Sequence, residues 1–160
     1  MDLSNRLEHS DYLIAYYNEV TRFVTSSLTA RKVAADTYIN GKLLRAGAQI
    51  MLPYRQLLMD EAVFGPDADH LNPSRFLENK TLSRSANFKP FGSGRSLCPG
   101  RLLAKKEVVM FTALVISRFE VEPADKDARF PRMTFGKPIL GPVEPVKGDD
   151  LILNVRPLAS

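Results

Sequence analysis

The feature that most restricts this chain is a long stretch without a repeating apolar pattern, residues 60–97, set between two strongly patterned segments. It carries Pro66, Pro73 and Pro90, with Gly65, Gly92 and Gly94. Proline fixes φ and removes a backbone donor, so neither a long helix nor a central strand can run through the stretch. Irregular connections of that length are uncommon in compact domains and are usually functional. The flanking segments must therefore supply the scaffold. Before the stretch, residues 11–25 place Leu13, Tyr16, Tyr17, Val20 and Val24 at helical spacing, with Ser10 or Asp11 able to cap the start. After it, residues 99–119 read as a second helix opened by Pro99, whose missing N–H costs nothing at a first helical position. Leu102, Leu103, Val109, Phe111, Leu114 and Val115 cover most of its circumference, which predicts burial on most sides.

The remaining segments are shorter. Residues 31–53 read as short strands: Lys32 to Ile39 is extended, Asn40-Gly41 is a hairpin turn signal, and Gln49 to Leu52 is a further strand. Tyr54 to Met59 reads as a short helix. Residues 130–158 contain five prolines and read as loops plus a terminal hairpin, with Val146 to Asp150 as the turn and Leu151 to Val155 as a strand. The length suits one domain or a piece of a larger one.

Composition excludes several functions. A single cysteine rules out a disulfide within the chain and a cluster held by four of its own cysteines. The net charge of +4 is modest and dispersed, without the basic stripe and stacking aromatics of a nucleic-acid binder. The longest apolar run, Val108 to Ile116, is interrupted by Thr112 and falls well short of the ~18 residues that a membrane span needs. Met1 to Asn5 has neither the basic nor the apolar region of a signal peptide.

The chemistry concentrates in Phe91-Gly92-Ser93-Gly94-Arg95-Ser96-Leu97-Cys98-Pro99-Gly100. Glycines allow close backbone approach to a flat ligand. The lone cysteine stands at the mouth of a helix, where the dipole and unpaired N–H groups favour thiolate over thiol. A thiolate there can ligate a soft metal or act as a nucleophile. A nucleophile needs a base, for which His9 and His70 are the candidates. The plain alternative is a packed core cysteine.

Three motifs occur together in one order: Glu19-Val20-Thr21-Arg22, Pro73-Ser74-Arg75-Phe76, and the set Phe91, Gly94, Cys98 and Gly100. They match the E-x-x-R, P-x-R-F and F-x-x-G-x-x-x-C-x-G signatures of the cytochrome P450 family. The chain resembles the C-terminal part of that family, from the K helix (11–25) through the strands, the meander and cysteine loop (60–97) and the L helix (99–119) to the terminal hairpin. Within the family it looks similar to the fungal-type members related to sterol 7-hydroxylase and prostacyclin synthase. The resemblance implies an α+β, mainly helical fold present as one partial domain. The distal segment that covers the other face of the cofactor is not found. Its A/G-G-x-D/E-T pattern has only Ala46-Gly47-Ala48-Gln49-Ile50 as an approximation, without the carboxylate or the hydroxyl.

What the resemblance implies for function is specific. Cys98 would be the axial ligand of the iron of haem b, with Phe91, Gly92, Gly94, Arg95 and Gly100 around it and backbone N–H groups from Leu97 to Gly100 directed at the sulfur. Arg31 would meet a haem propionate. Ser96 stands where many members carry Arg or His, with Arg95 one step before it. Glu19, Arg22 and Arg75 would form a structural triad. Spacing alone puts Glu19 and Arg22 on one helix face, among Tyr16, Val20 and Phe23, which makes burial plausible. Ser27 to Arg31 and Gly136 to Pro142 resemble substrate-contacting regions.

The implied activity is haem-thiolate monooxygenation of a small apolar organic substrate, with NADPH acting through a flavoprotein reductase. Arg95, Arg101, Lys105 and Lys106 would form the face that docks this reductase. The alternatives are an isomerase or dehydratase of the prostacyclin synthase type, and a non-catalytic remnant. Full-length relatives are typically at the endoplasmic reticulum membrane. The fragment alone is expected to hold haem poorly and not to turn over.

Overall fold

The first helix buries a charged pair together with part of its apolar set, Ala15, Tyr17 and Phe23. The computed structural model describes residues 9–135 and 141–158. In it α1 (Asp11–Val24) turns Ala15, Glu19, Arg22 and Phe23 inward. Tyr16 and Val20 are instead 53% and 40% exposed. Of the three residues expected to shelter the Glu19–Arg22 pair, only Phe23 is buried; the shelter comes from the irregular stretch.

Two hairpin-like units follow. Strands β1 (Leu28–Lys32) and β4 (Gln49–Pro53) pair antiparallel, with Leu28 opposite Pro53 and Arg31 opposite Ile50. Between them, β2 (Thr37–Ile39) and β3 (Lys42–Leu44) form a hairpin closed by Asn40 and Gly41, both at positive φ (47° and 75°). That is the signature of a type I′ turn, whose twist matches the strands it joins. The strand region begins at Leu28, three residues earlier than its sequence suggests.

The stretch 60–97 is a chain of short turns of helix. After α2 (Tyr54–Leu58) come α3 (Glu61–Phe64), α4 (Ser74–Glu78) and single 3-10 turns at Lys80–Arg84 and Gly94–Ser96. The side chain of Asp60 caps α3 by accepting from Ala62 N at 3.0 Å. The apolar centre here is Ala15, Phe64, Ala68 and Phe76, with Phe88 stacked edge-on against Phe76 at 5.3 Å.

The long helix α5 runs from Arg101 to Arg118. Pro99 lies two residues before it and Gly100 is its N-cap, so the proline terminates the preceding turn instead of starting the helix. Only Val109 and Ala113 of α5 are buried. Leu102, Leu103 and Phe111 are 69%, 61% and 70% exposed, so the expected burial on most sides is not met within this chain.

Phe119 has left the helix and opens β5 (Phe119–Pro123), which pairs antiparallel with β6 (Leu153–Pro157). The expected terminal strand is thus real but shifted by two residues, and its partner follows α5 instead of lying across the 146–150 turn. The local antiparallel contact joins 132–134 to 144–146 through Val146 N to Arg132 O (2.8 Å) and Thr134 N to Glu144 O (2.9 Å). Residues Gly136 to Leu140 of the expected substrate-contacting loop lie outside the described residues. Gly141 and Val143 return to the end of α1, where Val143 N donates to Val24 O at 2.7 Å.

Candidate functional site

Glu19 and Arg22, one turn apart on α1, are both fully buried, and Arg75 at the start of α4 is 7% exposed. Arg22 binds Glu19 through both prongs of its fork, Nε to Oε2 at 2.9 Å and Nη2 to Oε1 at 2.7 Å. Arg75 Nε approaches the same carboxylate at 3.1–3.2 Å, and Asn72 N donates to Oε1 at 2.8 Å. The remaining donors of Arg22 go to carbonyls of the irregular stretch: Leu58 O (2.8 Å), Ala68 O (2.7 Å) and His70 O (3.1 Å). Arg75 donates to Phe64 O, to Asp67 O (3.0 Å) and to Asp67 Oδ1 (3.0 Å).

This arrangement explains how a segment without regular structure stays ordered. Buried backbone carbonyls need partners, and here two guanidinium groups replace a helix or sheet ladder. The charges balance, because Glu19 and Asp67 face Arg22 and Arg75. Asp67 is held below the usual carboxylate range, first by the hydrogen bond from Asn72 and then by Arg75. Asn72 and Asp67 carry no local signal that would mark them in sequence; their importance follows from where the chain brings them.

The second part of the site is the cysteine loop. Cys98 N donates to Phe91 O at 3.0 Å and Leu97 N to Gly94 O at 3.1 Å, folding residues 91–98 into a closed turn. Gly92 (φ 79°) is required there, since a Cβ would stand 3.2 Å from Ser96 O. Gly94 is also at positive φ (59°). Two of the N–H groups expected to face the sulfur are therefore spent on carbonyls, and Pro99 has none. Gly100 N is the one in that run with no hydrogen-bond partner among the described residues, and a Cβ on Gly100 would lie 3.8 Å from Cys98 Sγ. Cys98 is half-buried, neither enclosed in packed hydrocarbon nor free on the surface.

The third part is a polar rim. Arg31 on β1 is exposed and reaches across to Ser96, its Nη2 donating to the hydroxyl, while Nη1 donates to Thr29 Oγ1 at 2.7 Å. Ser96 also bonds Ser93 O at 3.2 Å. Tyr54, buried at the start of α2, sets its hydroxyl 3.4 Å from Ser93 Oγ. Arg31 thus stands beside the position two residues before the cysteine, whereas the side chain of Arg95 is exposed and makes no hydrogen bond or ion pair among the described residues. Tyr54 had no motif to mark it, whereas Thr29 lies within the Ser27 to Arg31 segment singled out from the sequence.

The residues fit a flat, thiolate-ligated metal complex with anionic arms. One soft donor sits at the mouth of an 18-residue helix, its neighbouring glycines keep side chains away, and a cation lies on the rim. No group of three or more His, Cys, Asp or Glu that could hold a bare metal ion occurs among the described residues. The ring of His70 bonds Asp69 at 2.6 Å on the surface, and it is the His70 carbonyl that enters the site.

Comparison with known proteins decides the family. The family model described as Cytochrome P450 matches residues 4–145. The chain belongs to the cytochrome P450 family. Ent-kaurenoic acid oxidase 1 of Arabidopsis thaliana is 32% identical over 118 residues, 73% of this chain and 24% of that protein. The cytochrome P450 monooxygenase nodJ of Hypoxylon pulicicidum is 30% identical over 133 residues, 77% of this chain and 26% of that protein. An indoleacetaldoxime dehydratase of Arabidopsis thaliana is 31% identical over 118 residues, 71% of this chain and 24% of that protein. The retinoic acid-bound cyanobacterial CYP120A1 superposes with a TM-score of 0.73 at 20% identity, over 97% of this chain and 37% of that one, which establishes a partial P450 fold. The chain spans about a quarter of the length of these curated relatives.

Proposed function

We propose that this chain supplies the thiolate-bearing half of a haem site in a monooxygenase, with Cys98 as the axial ligand of haem iron. The observation that carries the reading is the turn tied by Cys98 N to Phe91 O, with a half-buried sulfur at a helix mouth and the Arg31–Ser96 pair beside it. When bound, haem b supplies the oxidative chemistry, and a thiolate ligand favours O–O cleavage. The protein's own residues do the rest. Gly100 N–H tunes the sulfur, Phe91 packs beside it, Gly92 and Gly94 keep the approach open, and Arg31 with Ser96 holds a propionate. Arg95 is a second cation for that role. Glu19, Arg22 and Arg75 hold the meander that carries the loop and take no part in the chemistry.

The substrate is a small apolar organic molecule, and electrons come from NADPH through a flavoprotein reductase docking on the basic face of Arg95, Arg101, Lys105 and Lys106. No helix among the described residues is long and apolar enough to cross a membrane; an endoplasmic reticulum location is proposed from the longer relatives. A dehydratase reading is favoured by the 31% identical indoleacetaldoxime dehydratase. NADPH consumption coupled to substrate oxidation by the parent-length protein separates the two, because dehydration needs no net electrons. Haem titration of the chain followed by visible absorption tests the ligand itself. Cys98→Ala should change the spectrum and weaken binding at least tenfold, and an identical spectrum in that variant would overturn the assignment.

A further inference from the structure

The hairpin β2–β3 stands clear of the rest of the chain. Every residue from Ala34 to Leu43 is exposed, and the ladder consists of Thr37 with Leu44, Tyr38 with Leu43 and Ile39 with Lys42. A two-stranded hairpin of this kind is marginally stable in water and opens locally with ease. Its turn is Asn40-Gly41, the one Asn-Gly pair in the sequence. Asn40 is also the one non-glycine residue at positive φ among the described residues.

Asparagine is a chemically labile residue. Its side-chain amide carbon is an electrophile, and the peptide nitrogen of the next residue can close a five-membered ring on it. Ring closure needs an unhindered successor, a successor N–H that is not engaged in a hydrogen bond, and a carboxamide able to turn. Asn40 meets all three conditions. Gly41 has no side chain, and nothing lies within 4 Å of where its Cβ would stand. Gly41 N donates to no acceptor among the described residues, and the Asn40 carboxamide makes no hydrogen bond among them. The other described asparagines each fail at least one condition. Asn72 precedes Pro73, which has no N–H, and its Nδ2 donates to Asp67 Oδ2 at 2.8 Å. Asn87 Nδ2 donates to Asp60 Oδ2 at 2.8 Å, and the N–H of its successor Phe88 to Ser85 O at 3.1 Å. Asn79 Oδ1 accepts from Thr81 N at 3.1 Å. Asn18 lies inside α1, and Asn154 lies inside β6 before the β-branched Val155.

We propose that Asn40 is a site of spontaneous deamidation. Gly41 N attacks Asn40 Cγ, the Cγ–Nδ2 bond breaks, and Nδ2 leaves as ammonia with the proton given up by Gly41 N–H. Water then opens the five-membered imide. Attack at the side-chain carbonyl gives aspartate, and attack at the main-chain carbonyl gives isoaspartate. Isoaspartate routes the main chain through the side-chain carbon and lengthens a loop in which type I′ geometry admits two residues, so the Ile39–Lys42 pair should open. Either product places a negative charge beside Lys42. Val33 N bonds Ala48 O at 2.9 Å and Gly47 N bonds Val33 O at 2.8 Å, which separates the hairpin from β1 and leaves Arg31 and the cysteine loop in place.

The test incubates the folded 160-residue chain, and the same chain unfolded in urea, in mildly alkaline buffer. Peptide mass spectrometry follows the exchange of NH2 for OH at each asparagine, and the tryptic segment Val33 to Lys42 holds Asn40 as its sole asparagine. Electron-transfer fragmentation separates isoaspartate from aspartate. In the folded chain Asn40 should convert at least tenfold faster than Asn72, Asn79 or Asn87, within about tenfold of its own rate in urea, and faster as pH rises. Gly41→Ala should slow the conversion at least tenfold in the folded and the unfolded chain alike, so that a disturbed turn cannot account for the effect. Asn40→Gly, which suits the same turn, should remove the mass gain and keep the far-UV circular dichroism spectrum. Asn40 reacting in urea but not in the folded chain, another asparagine outpacing it in the folded chain, or equal rates in Gly41→Ala would each overturn the proposal.

Discussion

Replacing Arg22 by lysine keeps the buried positive charge and removes only the fork, which makes it the sharpest probe of how the meander is held. Arg22 is fully buried and spends its five N–H groups on five oxygens: both carboxylate oxygens of Glu19 and the carbonyls of Leu58, Ala68 and His70. A lysine ammonium has three donors on a point. At least two of the five acceptors therefore lose their partner with no water to replace it. Hydrogen bonds to charged groups contribute ~1.5–3 kcal/mol each, so the loss is on the order of 3–5 kcal/mol. Domains are stable by only ~5–15 kcal/mol, and the variant should be near its unfolding threshold. Urea unfolding followed by far-UV circular dichroism measures the change, and amide hydrogen exchange across residues 58–70 locates it. Arg156→Lys is the matched surface control: its pairs with Glu120 (3.5 Å) and Glu122 (2.8 Å) are exposed, and its loss should stay below ~1 kcal/mol. If Arg22→Lys unfolds within ~1 kcal/mol of the parent, with exchange unchanged over 58–70, the reasoning that two arginines hold the meander is refuted.

Four further outcomes follow from the same structure. Gly92→Ala places a side chain at φ 79° and 3.2 Å from Ser96 O, so it should destabilise by ~1–2 kcal/mol and raise proteolysis within the 91–98 turn; an unchanged cleavage rate would contradict this. The Asp149 carboxyl is lowered to about 2 by its hydrogen bonds with Arg132. Because the folded value lies below the ordinary 3.8, that stabilisation is complete above about pH 4 and is lost as pH falls from 3.8 towards 2, so amide exchange around 132 and 149 should rise there in the parent and show no such step in Asp149→Asn. The open stripe of Tyr16, Val20, Val108 and Ile116 lines a groove of about 580 Å³ and, with exposed Leu102, Leu103 and Phe111, should make the chain self-associate as concentration rises; light scattering should fall in a Leu103→Gln, Phe111→Gln variant, and equal scattering would argue against it. The chain alone should release supplied haem on dialysis, and a stable thiolate-type carbon monoxide band afterwards would contradict that expectation.

The parts of this architecture that were legible in sequence are those written in local rules. Asn40-Gly41 declared its hairpin because only certain residues accept positive φ at both turn positions. The spacing of Glu19 and Arg22 placed them on one face, although the sheltering residues come from 58–75 and not from the apolar neighbours on α1. The departures are tertiary. Burial of α5 was read from its own circumference, but helix patterning records what a helix is built to meet, not what this chain provides. The partner of β6 could not be read locally because β5 begins where the helical pattern of Val115 and Ile116 has not yet faded. Thr29, Tyr54 and Asn72 reach the site from separate elements, and no motif joins them.

The account turns on the atom that Cys98 offers to iron. Iron-edge X-ray absorption on the chain in excess haem measures this directly. A sulfur scatterer in the first coordination shell, present in the parent and lost in Cys98→Ala, is the predicted result. A shell of nitrogen and oxygen alone in the parent, unchanged by the substitution, would contradict it.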